Sequence, residues 1–171
     1  IVTEIRSWSG LDLMQTVGRV VAEYESLLPS KRPSEILVDS IGLGSGVVDR
    51  LRELELPVRG INVAEAPSMG ATYLNLRSEL WFKTKGWFED RACKLPKDDQ
   101  LLAELTGIRY SFTSSGKMKA ESKDEMRKRG LASPDLADAL CLTMASDAAT
   151  ALSGAFSSWR GDIKRNLRGI A

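Results

Sequence analysis

The chain has no histidine and only two cysteines among its 171 residues. Without imidazole there is no histidine-activated nucleophile, no histidine–metal site and no zinc-finger chemistry. Cys93 and Cys141 lie far apart and follow no metal-ligand spacing, so they read as reduced thiols of a cytosolic protein. Aromatic residues make up 6% of the chain and the formal net charge is +1. A near-neutral chain does not advertise a polyanionic partner, so any electrostatic footprint has to be local. No apolar run approaches the roughly 20 residues of a membrane span, and no signal peptide is visible, so no membrane partner is expected. There is no internal repeat and no low-complexity tract. What remains is 43% hydrophobic and 27% charged, enough for one compact domain with a real core.

The most informative stretch is Ser133, Pro134, Asp135, Leu136, Ala137, Asp138, Ala139, Leu140. Ser133 suits an N-cap and Pro134 the first helical position. Leu136, Ala139, Leu140, Thr143 and Met144 follow at helical spacing and predict one buried face. Asp135 and Asp138 then share a side of the helix near its start. One acid there answers the helix dipole. The second leaves two readings open: a cap with a solvated acid, or two carboxylates aimed at a metal ion.

In chain order, residues 1–8 alternate over part of their length and predict a half-buried strand. Residues 11–28 predict an amphipathic helix with Leu13, Met14, Val17, Val20, Val21 and Tyr24 on its inner face. Residues 36–39 form a continuous apolar run ending in Asp39, which predicts a core strand buried on both faces. An acid at the carboxyl end of such a strand stands where open α/β sheets place their ligands. The following Gly42, Gly44 and Gly46 lack the lysine of a phosphate-binding loop, and Val47 replaces the third dinucleotide glycine. Their expected use is a tight turn and close backbone approach beside Asp39.

A second strand at 57–63 completes a strand–helix–strand unit suited to parallel pairing. Helices are expected at 72–90 and 100–105. In the first, Trp81 and Trp87 are packing residues; before the second, Asp98 and Asp99 are first-turn acids. A hairpin is expected from 108–113 and 117–120. The stretch from 117 to 129 is the densest basic run, with Lys117, Lys119, Lys123, Arg127, Lys128 and Arg129. It is either a solvated charged face or a grip on phosphates. Residues 153–171 read as a basic C-terminal tail carrying Arg160, Lys164, Arg165 and Arg168.

These pieces, in this order and spacing, resemble the nuclease domain of the large terminase subunit of tailed bacteriophages. They are residues 5–14, 36–39 with 42–51, 75–79, 121–123 and 133–140. The resemblance implies an α/β fold of the RNase H-like type: a mixed central β-sheet flanked by helices, with an inserted β-hairpin, over residues 1–152. It implies a metal-dependent endonuclease that cuts concatemeric double-stranded DNA during genome packaging, by a two-metal mechanism using Mg2+ or Mn2+. Asp39, Asp135 and Asp138 become the catalytic and metal-binding acids, and Lys123 a phosphate contact. The implied partners are viral double-stranded DNA, the portal protein of the procapsid, the small terminase subunit and an N-terminal ATPase domain of the same polypeptide. The implied location is the host cell cytoplasm. The family carries a further metal-binding Asp on a first strand. This sequence opens at what should be the third, so weak metal binding and little cleavage are expected of the chain alone. Two other functions share some of these features: a resolvase of branched DNA, and a non-catalytic module that docks on DNA or portal.

Overall fold

The structure is a computed structural model and describes residues 1–91 and 93–146. The elements are α1 (Leu13–Ser26), β1 (Ile36–Asp39), α2 (Leu43–Glu53), β2 (Val58–Ile61), α3 (Leu76–Glu89) and α4 (Asp99–Gly107). Then come β3 (Tyr110–Phe112), β4 (Met118–Ala120), α5 (Lys123–Lys128) and α6 (Asp135–Leu142). Single 3-10 turns cover Pro29–Lys31 and Thr143–Ala145. Among the described residues no helix is long and apolar enough to cross a membrane.

Local chemistry explains most helix starts. Asp12 accepts the Gln15 amide while the Gln15 side chain returns to the Asp12 amide, a capping box that opens α1. Asn75 caps α3 and Asp98 caps α4. Ser122 and Glu125 form a second capping box at α5, a helix the basic composition of 117–129 had hidden.

β1 and β2 pair in parallel, with Leu37 opposite Arg59 and Asp39 opposite Ile61. Alternation along the strands divides their side chains between two apolar clusters. Val38 and Val58 pack toward Val17, Val47 and Leu51 of α1 and α2. Leu37 and Ile61 pack toward Leu80, Trp81, Ala137 and Leu140 of α3 and α6. Both faces of β1 are therefore covered, as its apolar run predicts. Gly60 permits this closeness: a Cβ there would lie 3.2 Å from Val48 Cγ2 and from Ser40 Cβ.

Three expectations are corrected. Residues 1–8 form no strand; Val2 donates one backbone bond to Lys94 and only Val2 and Ile5 pack inward. Those two are three apart, a spacing that no strand places on one face. The described residues hold two two-stranded sheets, β1–β2 and the antiparallel β3–β4, rather than one central mixed sheet. Met14 is 56% exposed, because the stripe facing α2 is carried by Leu13, Val17, Val20 and Val21. The basic tail at 153–171 lies outside the described residues, as does the end of the domain at 152.

Candidate active site

Strand parity sets the position of Asp39. It is two residues from Leu37 and opposite Ile61, so it occupies the face of β1 on which α6 packs. It is exposed at the carboxyl end of the strand. Its Oδ1 accepts the Ile41 amide at 3.1 Å, leaving Oδ2 without a donor among the described residues. The glycines serve as expected. Gly42 takes a positive φ of 64°, and a Cβ on Gly44 would fall 1.7 Å from the Asp39 carbonyl oxygen. Only glycine lets the first turn of α2 pass this close beneath the acid. That turn begins at Leu43, so Gly44 and Gly46 belong to the helix rather than to a preceding loop.

α6 starts at Asp135, but not by the expected cap. Pro134 occupies the cap position and no side chain of its own segment caps the helix. The Ser133 hydroxyl donates to Asp135 Oδ1 at 2.7 Å instead. The orphan amide of Ala137 is taken by Glu104 Oε2 of α4 at 2.9 Å, a cap supplied from across the fold. The buried face of α6 is Ala137, Leu140, Cys141 and Leu142, and Ala139 is exposed. Leu136 and Met144 of the expected face also pack on the core cluster, while Thr143 is exposed; packing against both α3 and α4 makes the buried face wider than the single stripe the spacing predicts.

Asp135 and Asp138 are brought together by Lys123. Its ammonium stands 2.9 Å from Asp135 Oδ1 and 3.4 Å from Asp138 Oδ2. Burial alone would depress the Lys123 pKa, yet it is raised, because the two carboxylates outweigh the desolvation. The same contact, with the Ser133 hydroxyl, holds Asp135 below the usual carboxylate range. Asp138 is more enclosed. Its Oδ1 accepts Arg77 Nε at 3.0 Å and Trp81 Nε1 at 2.8 Å, and Arg77 Nη2 lies 3.0 Å away. Arg77 also donates through Nη1 to the Glu121 carbonyl at 2.7 Å.

Arg77 and Trp81 are the site residues that sequence reasoning missed. Trp81 is the packing residue expected of it, buried in the α3–α6 cluster, and its indole N–H also holds Asp138. The available signal was spacing: an arginine four residues before a tryptophan shares its helix face. Buried polar groups on that face need partners, and Asp138 supplies one to both.

The basic run divides. Lys119 is tied to Glu125 at 2.9 Å, Arg127 to Asp124 at 2.8 Å and Arg129 to Glu121 at 2.6 Å. Arg129 also reaches the Gly107 carbonyl. Its guanidinium is the main cause holding Glu121 below the usual carboxylate range. Lys117 and Lys128 make no ion pair among the described residues and are the charges most available to a polyanion.

The donors fit a hard divalent ion in kind. Asp39 Oδ2 and Asp135 Oδ2 are oxygens without a donor, and Asp138 Oδ2 faces only Lys123. In number they cover part of a shell. Among the described residues no three acidic, cysteine or histidine side chains gather into one cluster, and no bond joins Asp39 to α6.

No protein-family model matches the chain. No curated protein matches it either. Solved structures do. The nuclease domain of the large terminase subunit gp2 of bacterial virus Sf6 superposes with a TM-score of 0.65 and 21% identity, over 80% of this chain and 74% of that one. A point mutant of the same domain with manganese gives 0.64 and 20%, over 80% and 75%. The mutant with calcium gives 0.65 and 20%, over 80% and 74%. At this identity the likeness speaks for the fold: the chain shares the α/β fold of the nuclease domain of a phage large terminase subunit.

Proposed function

We propose that the chain is the metal-dependent endonuclease domain of a viral DNA-packaging motor, cutting double-stranded DNA by two-metal phosphodiester hydrolysis. The observation that carries this reading is the shared fold with a phage nuclease domain over four-fifths of the chain. Two features of this chain support it. Asp39 lies on the face of β1 toward α6, and α6 presents Asp135 and Asp138 in its first turn. The divalent ion is Mg2+ or Mn2+, in keeping with a neighbour solved with manganese and another with calcium. When bound, such ions activate water and stabilise the leaving oxygen. Asp39 and Asp135 would hold the ion through their free oxygens, and Asp138 would add Oδ2 once Lys123 withdraws. Arg77 and Trp81 keep Asp138 oriented. Lys117, Lys119, Lys123, Arg127, Lys128 and Arg129 supply the basic approach for phosphates, with Lys117 and Lys128 engaging first.

The proposed setting is a packaging motor in the host cell cytoplasm. There the domain follows an ATPase domain and works with the small terminase subunit and the portal. The test is Asp39→Asn in the full-length protein. The expected outcome is loss of manganese-dependent plasmid cleavage with duplex binding retained in fluorescence anisotropy. Undiminished cleavage by that variant overturns the assignment.

A further inference from the structure

The β3–β4 hairpin has two unlike faces. Glu121 donates its amide to the Arg109 carbonyl and Thr113 donates to Lys117, so the ladder extends one residue beyond each strand end. Period-two alternation puts Tyr110, Phe112, Met118 and Ala120 on one face, and Arg109, Ser111, Lys117 and Lys119 on the other. On the opposite side of β4, Met118 exchanges backbone bonds with Thr72 and Leu74, which widens the sheet.

The apolar face is not a finished core. Tyr73 stacks on Phe82 of α3 with centroids 5.4 Å apart, and Phe82 meets Tyr110 edge-on at 5.4 Å. Tyr110 meets Phe112 at 5.9 Å. The ladder thus starts against α3 and runs outward to rings that are 58% and 65% exposed. Two adjacent exposed aromatic rings, braced from behind by two more, are an unusual surface for packing alone. Rings in that state suit a flat apolar ligand.

Charge selects the ligand. The polar face of the hairpin carries Arg109, Lys117 and Lys119; Glu121 stands opposite Arg109 and Glu125 holds Lys119, and Lys117 makes no ion pair among the described residues. A polyanion is favoured beside them. β4 then runs directly into Ser122 and Lys123, so the hairpin lies on the same continuous segment as the ammonium between Asp135 and Asp138. Nucleic-acid bases offer the flat apolar faces, and the cations on the other face of the same two-stranded ribbon give the hairpin a basic edge for the strand's phosphates. A duplex keeps its base faces stacked inside, where these rings cannot reach.

From this we infer that Tyr110 and Phe112 form a stacking platform for unpaired bases, which holds a single-stranded or locally opened segment of nucleic acid beside the candidate active site. The choice of nucleic acid rests on the nuclease reading; the selectivity for unpaired bases does not follow from it.

The experiment measures fluorescence anisotropy of a short labelled single strand and of the duplex of the same sequence. It compares the wild-type chain, the double variant Tyr110→Leu/Phe112→Leu, and Phe112→Trp. Leucine keeps apolar area without a ring, and matched thermal melts of the three proteins show that each is folded. The double variant is expected to bind the single strand about tenfold or more weakly, with its duplex affinity unchanged, and Phe112→Trp to retain or improve single-strand binding. An unchanged single-strand affinity overturns the platform, and so does an equal loss on both ligands. If the wild-type chain binds neither form, the nuclease reading falls with it. If it binds duplex and ignores the single strand, the platform alone falls.

Discussion

Lys123 stands where a divalent cation would have to come, and its removal gives the sharpest test of the site. The ammonium lies 2.9 Å from Asp135 Oδ1 and 3.4 Å from Asp138 Oδ2. A metal ion using those oxygens has to displace it. The lysine side chain is 41% exposed and Asp135 71%, so solvent screens the first pair; Asp138, at 21%, is less screened. Two pairs of this kind together are worth about 1–2 kcal/mol. Direct repulsion gives a similar figure: two unit charges 4 Å apart in water interact by about 1 kcal/mol, and a divalent ion doubles that. Lys123→Ala should therefore bind Mn2+ about tenfold more tightly than the wild-type chain. The cost in folding stability should be about 1–2 kcal/mol, the worth of the two pairs lost. A manganese titration followed by the EPR signal of the free ion reads the first, and a urea midpoint the second. Adding Asp135→Asn to Lys123→Ala should remove the gain. Lys123 has its pKa raised and Asp135 its pKa lowered, so the pair stays fully charged between about pH 5 and about pH 9. The gain should not vary across that range. An alanine variant that binds Mn2+ no better than wild type refutes the idea that this lysine guards the carboxylates.

Gly44→Ala places a Cβ 1.7 Å from the Asp39 carbonyl oxygen and 2.9 Å from its carbon, both backbone atoms that cannot swing aside. The variant should lose about 2–3 kcal/mol, measured by denaturant unfolding; an unmoved midpoint refutes the packing argument. Glu125 is held at about 2 by the Ser122 amide, the Ser122 hydroxyl and Lys119, in that order. A carboxylate with a depressed folded pKa stabilises the fold above its ordinary value, and that stability is lost as pH falls through the folded value. The α5 cap should hold at neutral pH and weaken between about pH 4.5 and about pH 2. The Glu125 carboxyl carbon, followed by NMR, should titrate near the lower end of that range, and a midpoint near 4.5 contradicts the capping box.

Much of this arrangement was legible in the residues, and what was not has identifiable causes. The run ending in Asp39 read as a strand with both faces covered, and Val38 and Leu37 do face different clusters. Three glycines beside it read as a close backbone approach, and Gly44 makes one. Asp98 and Asp99 read as first-turn acids, and Asp98 caps α4. Sequence spacing failed where a distant element decided the outcome. Ser133 is a good cap by local rules, but Glu104 reached the Ala137 amide first, and the serine hydroxyl was left for Asp135. The basic run looked like one phosphate grip. Tertiary packing gave Lys119, Arg127 and Arg129 acids of their own, and local pattern cannot tell a paired cation from a free one.

The unforeseen residues explain how the candidate site keeps its shape when, among the described residues, no third acid gathers with Asp135 and Asp138. Arg77 and Ser78, in the first turn of α3, both grip the end of β4: Arg77 donates to the Glu121 carbonyl, and Ser78 Oγ accepts the Ala120 amide. α5 begins immediately after, at the Ser122 cap, so the start of α3 fixes where Lys123 can stand. The same Arg77 holds Asp138 on α6 through Nε. One guanidinium thus sets the distance between the lysine's helix and the helix it neutralises. Its fork geometry allows both contacts at once, which the single ammonium of a lysine would not match. The hairpin that bears the exposed rings leads into this junction. Lys123 and the acids of α6 are therefore positioned from the end of β4, through Arg77 and the Glu121 carbonyl.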